Sequence, residues 1–141
     1  MLQATAEEIP LESAAVDGVV CNVVLPYTDE RRTIREIGRI LKDAGVGVCC
    51  YHGIGYYLRY MLAGTSWKFR FYGLRALVNT WLYAVTGMRL PGFLGDTLYQ
   101  SRRRLTRYYR ESHLRLRQTH RSRTFLGCPV FIYHTIQKGR S

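Results

Sequence analysis

The chain has 141 residues, of which 47% are hydrophobic, and this is enough for one compact domain with an apolar core. That composition excludes wholesale disorder, and the uncharged stretch at residues 76–88 is too short to cross a bilayer as a helix. The net charge of +11 is unevenly placed. Positions 1–45 hold five Lys or Arg and eight Asp or Glu, whereas positions 46–141 hold sixteen Lys or Arg and two Asp or Glu. The second part therefore presents either a solvated basic face or a surface for an anionic partner.

The cysteines and histidines do not have the spacing of metal ligands. None of the four cysteines forms a C-x-x-C pair, and three of them, Cys21, Cys49 and Cys50, lie in strand patterns. This favours buried, reduced thiols in a cytoplasmic protein over a metal site. The four histidines are scattered along the chain, which favours structural roles for them.

A strand–helix–strand pattern dominates the first third of the chain. Residues 16–25 are almost wholly apolar and β-branched, as in a central parallel strand that is buried on both faces. A helical pattern follows at 29–45, and residues 46–51 form a second apolar run. Such a unit closes into a parallel pair by a right-handed crossover, and open parallel sheets bind ligands beyond the carboxyl ends of their strands. Residues 22–27, where the first strand ends, are therefore the first candidate ligand site.

The remaining pattern is less regular. Residues 2–6 are predicted to end a strand, and Pro10 predicts a turn after it. The later predicted elements are a helix at 56–62, a helix at 67–88 broken or kinked at Gly73, a loop at 87–95, a basic helix at 97–112, a strand at 114–119, a connection at 125–129 and a last strand at 130–136.

Two segments carry a family resemblance. They are Ala4–Asn22, with the sequence ATAEEIPLESAAVDGVVCN, and Glu36–Val46, with the sequence EIGRILKDAGV. In order and spacing they resemble the second half of the class I S-adenosylmethionine-dependent methyltransferases of the type 11-like group. That family pattern has an acid before Ala-Glu, a short step to Pro, an Asp-containing strand and a Glu-x-x-Arg-x-Leu-Lys helix end. This chain departs from it in having Thr5 in place of the acid, and Asp43-Ala44 in place of Pro-Gly.

The resemblance implies an α/β fold. The expected architecture is the later part of a doubly wound, mostly parallel Rossmann-like methyltransferase sheet, with a helical insertion and a C-terminal antiparallel hairpin. The family's glycine-rich first turn and its ribose-binding acid have no counterpart in this sequence. The chain thus resembles one truncated domain, residues 1–141, made of a core unit at 1–53, a helical insertion with the basic helix at 54–112 and closing strands at 113–138.

The resemblance also implies a cofactor site for S-adenosylmethionine. In the family, the positions of Thr5 and Ala6 meet the adenine edge, and Glu7 lies in the same turn. The carboxyl end of the first strand faces the cofactor sulfur, so Asn22 and Leu25 are expected to line the site. The implied activity is methyl transfer to a small-molecule or lipid-like acceptor.

His52 follows the second strand and is a candidate general base, because the pKa of histidine lies near neutrality. A structural loop histidine is the alternative.

Two other interpretations stay open. The aromatic residues of 56–90 are typical of core packing against the sheet, of an apolar pocket or, with Trp67 and Trp81, of a membrane-surface segment. The arginines of 102–110 favour a solvated helix face or the steering of an anionic ligand. The alternative function is a non-catalytic basic module for anionic surfaces or nucleic acid, although no aromatic stacking platform accompanies the arginines.

Overall fold

The computed structural model describes residues 4–86 and 100–139. Within them a mixed sheet is flanked by helices on both faces. The elements in chain order are β1 (Val16–Asn22), a 3-10 turn (Leu25–Tyr27), α1 (Glu30–Ile40), β2 (Leu41–His52), α2 (Ile54–Ala63), α3 (Trp67–Thr86), α4 (Arg102–Glu111), β3 (Leu114–Phe125) and β4 (Cys128–Lys138).

The sheet has the strand order β1-β2-β4-β3. β1 and β2 are parallel, with Cys21 opposite Cys49, whereas β4 is antiparallel to both β2 and β3. This confirms the predicted α/β class, in which a parallel strand–helix–strand unit is followed by an antiparallel hairpin. β1 lies at the edge of the described sheet, however, and Val20 is 78% exposed. The expectation of a central strand buried on both faces was wrong for the described residues, because β2 is the only described strand that pairs with β1.

Helix α1 begins where the sequence predicts and ends earlier. The Asp29 side chain accepts a hydrogen bond from the N–H of Arg32 at 3.0 Å, which caps the first turn. The helix ends at Ile40 because the N–H groups of Ala14 and Ala15 bind the carbonyl oxygens of Arg39 and Ile40, each at 2.9 Å. The chain that enters β1 thus occupies the carbonyl groups at the helix end.

The strands also differ in length from their predictions. β1 stops at Asn22 instead of residue 25, since Val23 has a φ of +56° and turns the chain out of the sheet. β3 runs on to Phe125, past the predicted end at residue 119. Leu126 and Gly127 then form a two-residue hairpin turn with φ values of +50° and +74°. This tight turn replaces the predicted connection at 125–129, because two positive φ angles match the twist of the paired strands.

Helix α3 runs without a break through Gly73, where the sequence predicts a break or kink. A Cβ atom at Gly73 would lie 2.6 Å from the carbonyl oxygen of Tyr57 and 2.9 Å from the N of Met61. The glycine is therefore needed for the close approach of α3 to α2. The aromatic segment was expected to pack directly against the sheet. This is confirmed for α2, whereas the main contact of α3 is with α2, so the expectation was wrong for α3.

The core lies between the sheet and helices α1 and α4. Successive strand residues point to opposite faces, and the end of β2 shows the result. The Tyr51 hydroxyl lies 2.9 Å from Nε2 of His134 in this core, whereas His52 stacks on Tyr56 of α2. The apolar side chains that fill the core include Leu25, Ile34, Ile37, Leu41, Leu105, Leu114 and Ile136.

Some predictions fall wholly or partly outside the described residues. These are the loop at 87–95, the last two residues of the helix at 67–88, the first residues of the helix at 97–112 and the start of the strand at 2–6. Within the described part, Thr5 lies in a turn that it closes with Glu8, so no strand is present there. Cys21, Cys49 and Cys50 are buried free thiols, as predicted. Among the helices of the described ranges, none is long and apolar enough to cross a membrane.

Candidate functional site

The carboxyl end of β1 forms the centre of the candidate site. Asn22 is exposed there, and the next residue, Val23, donates its N–H to the carbonyl oxygen of Cys50 at 2.9 Å. A β-branched residue rarely adopts the positive φ of Val23, and such local strain is common at functional sites. The turn buries Leu25 completely and leaves Tyr27 55% exposed at the carboxyl end of β1. The name rim is used below for Asn22, Tyr27 and the predicted site residues Thr5, Ala6 and Glu7.

The turn at residues 5–8 is tied to the same end of the sheet. Oε1 of Glu7 accepts a hydrogen bond from the N–H of Asp29 at 2.6 Å. Asp29 is the cap of α1 and follows the 3-10 turn that leaves β1. Glu7 therefore reaches the end of the strand–helix unit at which Asn22 lies, whereas Thr5 lines a surface pocket with Glu36 and Arg39, further along α1. Thr5 is exposed and Ala6 is half-buried, whereas the Glu7 carboxylate is used to hold the turn in place.

The chain between this turn and β1 is fastened along α1. The N–H of Ile9 donates to Oε2 of Glu36 at 3.0 Å, and the Arg39 guanidinium donates to the carbonyl oxygens of Ile9 and Leu11 at 2.7 and 2.6 Å. Glu36 and Arg39 also form an ion pair of 2.8 Å. The hydrogen bond from Arg39 holds the pKa of the Glu36 carboxyl below its usual value. This is what the Glu-x-x-Arg part of the recognised sequence pattern does in the fold.

Two of the predicted site residues are buried. Leu25 lies in the core, so its side chain does not face the rim. His52 is 5% exposed, and its ring stacks on that of Tyr56 with centroids 3.6 Å apart. Nδ1 of His52 has no hydrogen-bond partner among the described residues. Burial lowers the pKa of His52 to about 4, so the ring is neutral at physiological pH.

A cavity of about 630 Å³ opens beside the rim. It is formed by the 3-10 turn, α2 and α3, and its walls are Tyr27, Tyr56, Tyr60, Trp67, Lys68, Phe69, Phe71, Tyr72 and Arg75. The hydroxyl groups of Tyr27 and Tyr72 are 3.5 Å apart, which joins the rim to α3. The cavity is therefore aromatic on most sides and carries two cationic side chains.

The sequence predicts an apolar pocket in this segment only as an alternative to core packing, and it does not identify the walls. The cations Lys68 and Arg75 were missed as pocket residues, as was Tyr72. Arg75 is 8% exposed and its guanidinium carbon lies 5.7 Å from the centre of the Tyr72 ring. The spacing of Tyr72 and Arg75, three residues apart in a helical pattern, was the available signal.

Part of the chain matches a known protein family. Residues 1–49 match the model of a family described as a methyltransferase domain. A comparison with curated protein sequences gave no significant match.

Solved structures extend the likeness over the whole chain. A methyltransferase of Methanosarcina mazei that depends on S-adenosylmethionine is 16% identical, with a TM-score of 0.63 over 98% of this chain and 66% of that one. One from Mesorhizobium loti is 13% identical, with a TM-score of 0.63 over 96% and 67%. The 1,6-didemethyltoxoflavin-N1-methyltransferase of Burkholderia thailandensis, solved with 1,6-didemethyltoxoflavin and S-adenosylhomocysteine bound, is 11% identical, with a TM-score of 0.55 over 95% and 48%.

At these identities the likeness shows the fold. The chain spans 48% to 67% of the length of these three proteins. The parallel unit, the crossover helix and the closing hairpin all take part in the match, since it covers nearly all of this chain. The resemblance is thus confirmed: the chain has the Rossmann-like fold of the class I S-adenosylmethionine-dependent methyltransferases, and its residues 1–49 carry the sequence pattern of their methyltransferase-domain family.

Proposed function

We propose that this chain forms the later part of a methyltransferase domain that uses S-adenosylmethionine, and that it transfers a methyl group to a small or lipid-like acceptor. One observation carries the proposal. The aromatic cavity opens beside Tyr27, at the end of β1 where Asn22 is exposed. In open parallel sheets this end of the strands is where ligands bind. The family match of residues 1–49 supports the same assignment.

The rim residues fit the adenosyl part of the cofactor. The Thr5 hydroxyl, the Ala6 N–H and the Asn22 amide are neutral hydrogen-bonding groups, as adenine and ribose require. Glu7 contributes by holding the turn, and Leu25 by packing beneath the rim. When bound, S-adenosylmethionine supplies a methyl group on a positively charged sulfur. The bound S-adenosylhomocysteine of the Burkholderia enzyme supports this class of cofactor.

The cavity fits an acceptor with apolar or planar parts and an anionic group. Tyrosine, phenylalanine and tryptophan rings provide apolar walls, and Lys68 and Arg75 provide positive charge. The contribution of these residues to the rate is to orient the acceptor towards the rim. His52 stands behind Tyr56 and is not a wall of the cavity. A role as general base therefore requires Tyr56 to move, and the pKa of about 4 makes His52 a weak base.

The grip on the cofactor is expected to be weak in the 141 residues alone. The family's glycine-rich turn and its ribose-binding acid have no counterpart in this sequence. We also propose the predicted division into a core unit at 1–53, an insertion at 54–112 and closing strands at 113–138. In this division the core unit binds the cofactor and the insertion binds the acceptor.

Nuclear magnetic resonance tests the proposal on the full chain. S-adenosylhomocysteine is titrated to millimolar concentration while the amide signals are followed. We expect saturable shifts at Thr5, Ala6 and Asn22, and their loss in Asn22→Ala. Glu12→Ala, an exposed change away from the rim, is the matched control and keeps the shifts. Saturable shifts elsewhere in the chain, or none at the rim, would refute the cofactor site.

A second candidate function rests on the exposed arginines of β3. Arg115, Arg117, Arg121 and Arg123 are all exposed along this edge strand. They favour a non-catalytic module that binds anionic polymers. Tight binding of duplex or single-stranded nucleic acid that weakens steeply with salt, in a chain whose rim signals do not respond to S-adenosylhomocysteine, would favour this module.

A further inference from the structure

Helix α3 carries an exposed apolar stripe along its whole length. Its members are Trp67, Phe71, Leu74, Val78, Trp81 and Val85, and between 45% and 72% of each is exposed. Their spacing alternates between four and three residues, which places all six within an arc of roughly 80° on the helix surface. This set is called the α3 stripe below.

The opposite side of α3 is already occupied. Gly73, Ala76 and Asn79 are buried there, and Gly73 touches the backbone of α2. Helix α3 therefore has two distinct faces. One is buried and packs on α2, and the other, the α3 stripe, is apolar and exposed. This explains why the sequence pattern of the segment predicts core packing.

We propose that the α3 stripe docks on an anionic membrane surface, with the helix lying in the plane of the interface. The proposal does not depend on methyl transfer.

The positive charge of this part of the chain supports docking on an anionic surface. No acidic residue occurs between Asp43 and Asp96, and the chain as a whole carries +11. Lys68 and Arg70 are exposed on the two flanks of the stripe, about 100° and 60° from its centre. Basic residues beside an apolar face are typical of interfacial helices.

The tryptophans are the second argument. Trp67 and Trp81 are 72% and 65% exposed and stand on the same face, roughly 21 Å apart along the axis. Tryptophan is enriched at the level of lipid headgroups, because its ring is apolar and its N–H is polar. Two such rings, one near each end of the stripe, would anchor the helix parallel to the bilayer.

A second copy of the chain fits the stripe less well. A parallel pairing of two α3 helices through their stripes would bring Lys68 and Arg70 of each copy together, and in either orientation α3 has no acid to balance these charges. Helices that pair through such a stripe usually carry complementary charges beside it. A lipid surface with anionic headgroups supplies the missing negative charge.

Docking would also bring the aromatic cavity to the membrane. Trp67 and Phe71 belong to both the stripe and the cavity wall. If the proposed methyl transfer holds, this position favours the lipid-like acceptor over a freely soluble one.

Tryptophan fluorescence tests the docking on the full chain, since its two tryptophans both lie in the stripe. The probes are vesicles of phosphatidylcholine alone and of phosphatidylcholine with an equal share of phosphatidylglycerol. We expect a blue shift and co-sedimentation with the anionic vesicles and neither with the neutral ones. Leu74→Glu/Val78→Glu keeps both tryptophans and should weaken vesicle binding at least about tenfold.

The matched control is Leu11→Glu/Leu126→Glu, which makes the same change of charge at two exposed leucines elsewhere. It should bind as the wild type does, and circular dichroism confirms that both variants are folded. Equal binding by the stripe variant and the wild type would overturn the proposal. So would vesicle binding without a blue shift, which would place the contact on the arginines instead. A wild-type dimer that the stripe variant converts to a monomer, measured by analytical ultracentrifugation, would assign the stripe to a second copy.

Discussion

The carboxylate of Glu30 accepts two hydrogen bonds from the guanidinium of Arg104, at 2.9 and 2.7 Å. The two side chains are 3% and 16% exposed, so this ion pair is buried between the first turns of α1 and α4. Arg104 also lies over the ring of Tyr83, with 5.1 Å from the guanidinium carbon to the ring centre. One arginine therefore connects the crossover helix, the basic helix and α3.

Replacing Arg104 by methionine is expected to lower the free energy of unfolding by about 3 kcal/mol, because it leaves the Glu30 carboxylate buried without its charged partner. Urea denaturation measures the loss. The double change Glu30→Met/Arg104→Met should recover most of it. Arg107→Met, which breaks an exposed pair with Glu111 on the same helix, should cause little change. A loss in Arg107→Met as large as that in Arg104→Met would contradict the role given to burial.

Folding stability is expected to fall as the pH is lowered from about 6.5 to about 4. Burial lowers the pKa of both His52 and His134 from 6.5 to about 4. The unfolded chain therefore binds more protons than the folded chain in this window, and stability rises with pH. The full contribution is present above about pH 6.5 and is lost on acidification.

Urea denaturation at neutral pH and at about pH 5 checks this. His52→Phe keeps the stacking on Tyr56 and removes one titrating group, so its stability should depend less on pH, by up to about 2 kcal/mol between the two conditions. An unchanged pH dependence in this variant would show that His52 is not protonated on unfolding.

Gly73→Ala is expected to destabilise the protein by about 1–3 kcal/mol, because the added Cβ would meet backbone atoms of Tyr57 and Met61. In an isolated helix the same change stabilises by roughly 1 kcal/mol, so the sign is diagnostic. Thermal unfolding of Gly18→Ala provides the control, since its Cβ would lie at an ordinary 3.6 Å from the carbonyl oxygen of Val46. A stabilised Gly73→Ala would mean that α3 and α2 are further apart than described.

Arg39→Met is expected to release the segment from Ile9 to Leu11. The guanidinium holds the carbonyl oxygens of both residues, so the backbone amides of 4–12 should exchange faster with deuterated solvent while those of α1 stay protected. Arg35→Met, an exposed change on the same helix, serves as the reference. Equal deuterium exchange rates of the amides of 4–12 in the two variants would show that Arg39 does not hold the segment from Ile9 to Leu11.

Much of the fold could be predicted from local patterns. The apolar run at 16–25, the start of a helical pattern at Asp29 and the isoleucines of α1 predict the strand–helix–strand unit, although the strand itself ends at Asn22. The two strands of the closing hairpin were also predicted from local patterns, and their antiparallel pairing from the family resemblance, but the turn was placed too broadly. A two-residue turn with two positive φ angles has only Gly127 as its local signal, and Leu126 is unusual there.

The candidate site was predicted only in part. The recognised pattern predicts Asn22 and the turn at 5–8 as site residues, and their binding roles stay a prediction. The structure shows that Glu7 of this turn binds the N–H of Asp29, at the start of α1. The cavity was not predictable residue by residue, because Tyr27 and Tyr72 are 45 positions apart and meet only in the folded chain. The burial of Leu25 depends likewise on the strained turn at Val23.

The sequence by itself determined the order and type of most elements and the parallel pairing of β1 with β2, since these depend on local periodicity and on the handedness of short crossovers. Only the tertiary structure decided the end of α1, the Glu30–Arg104 pair and, in the part of the chain that the structure describes, the exposed apolar face of α3. Each of these depends on which segments far apart in the chain meet, and the pattern of a single segment does not record which neighbour covers it.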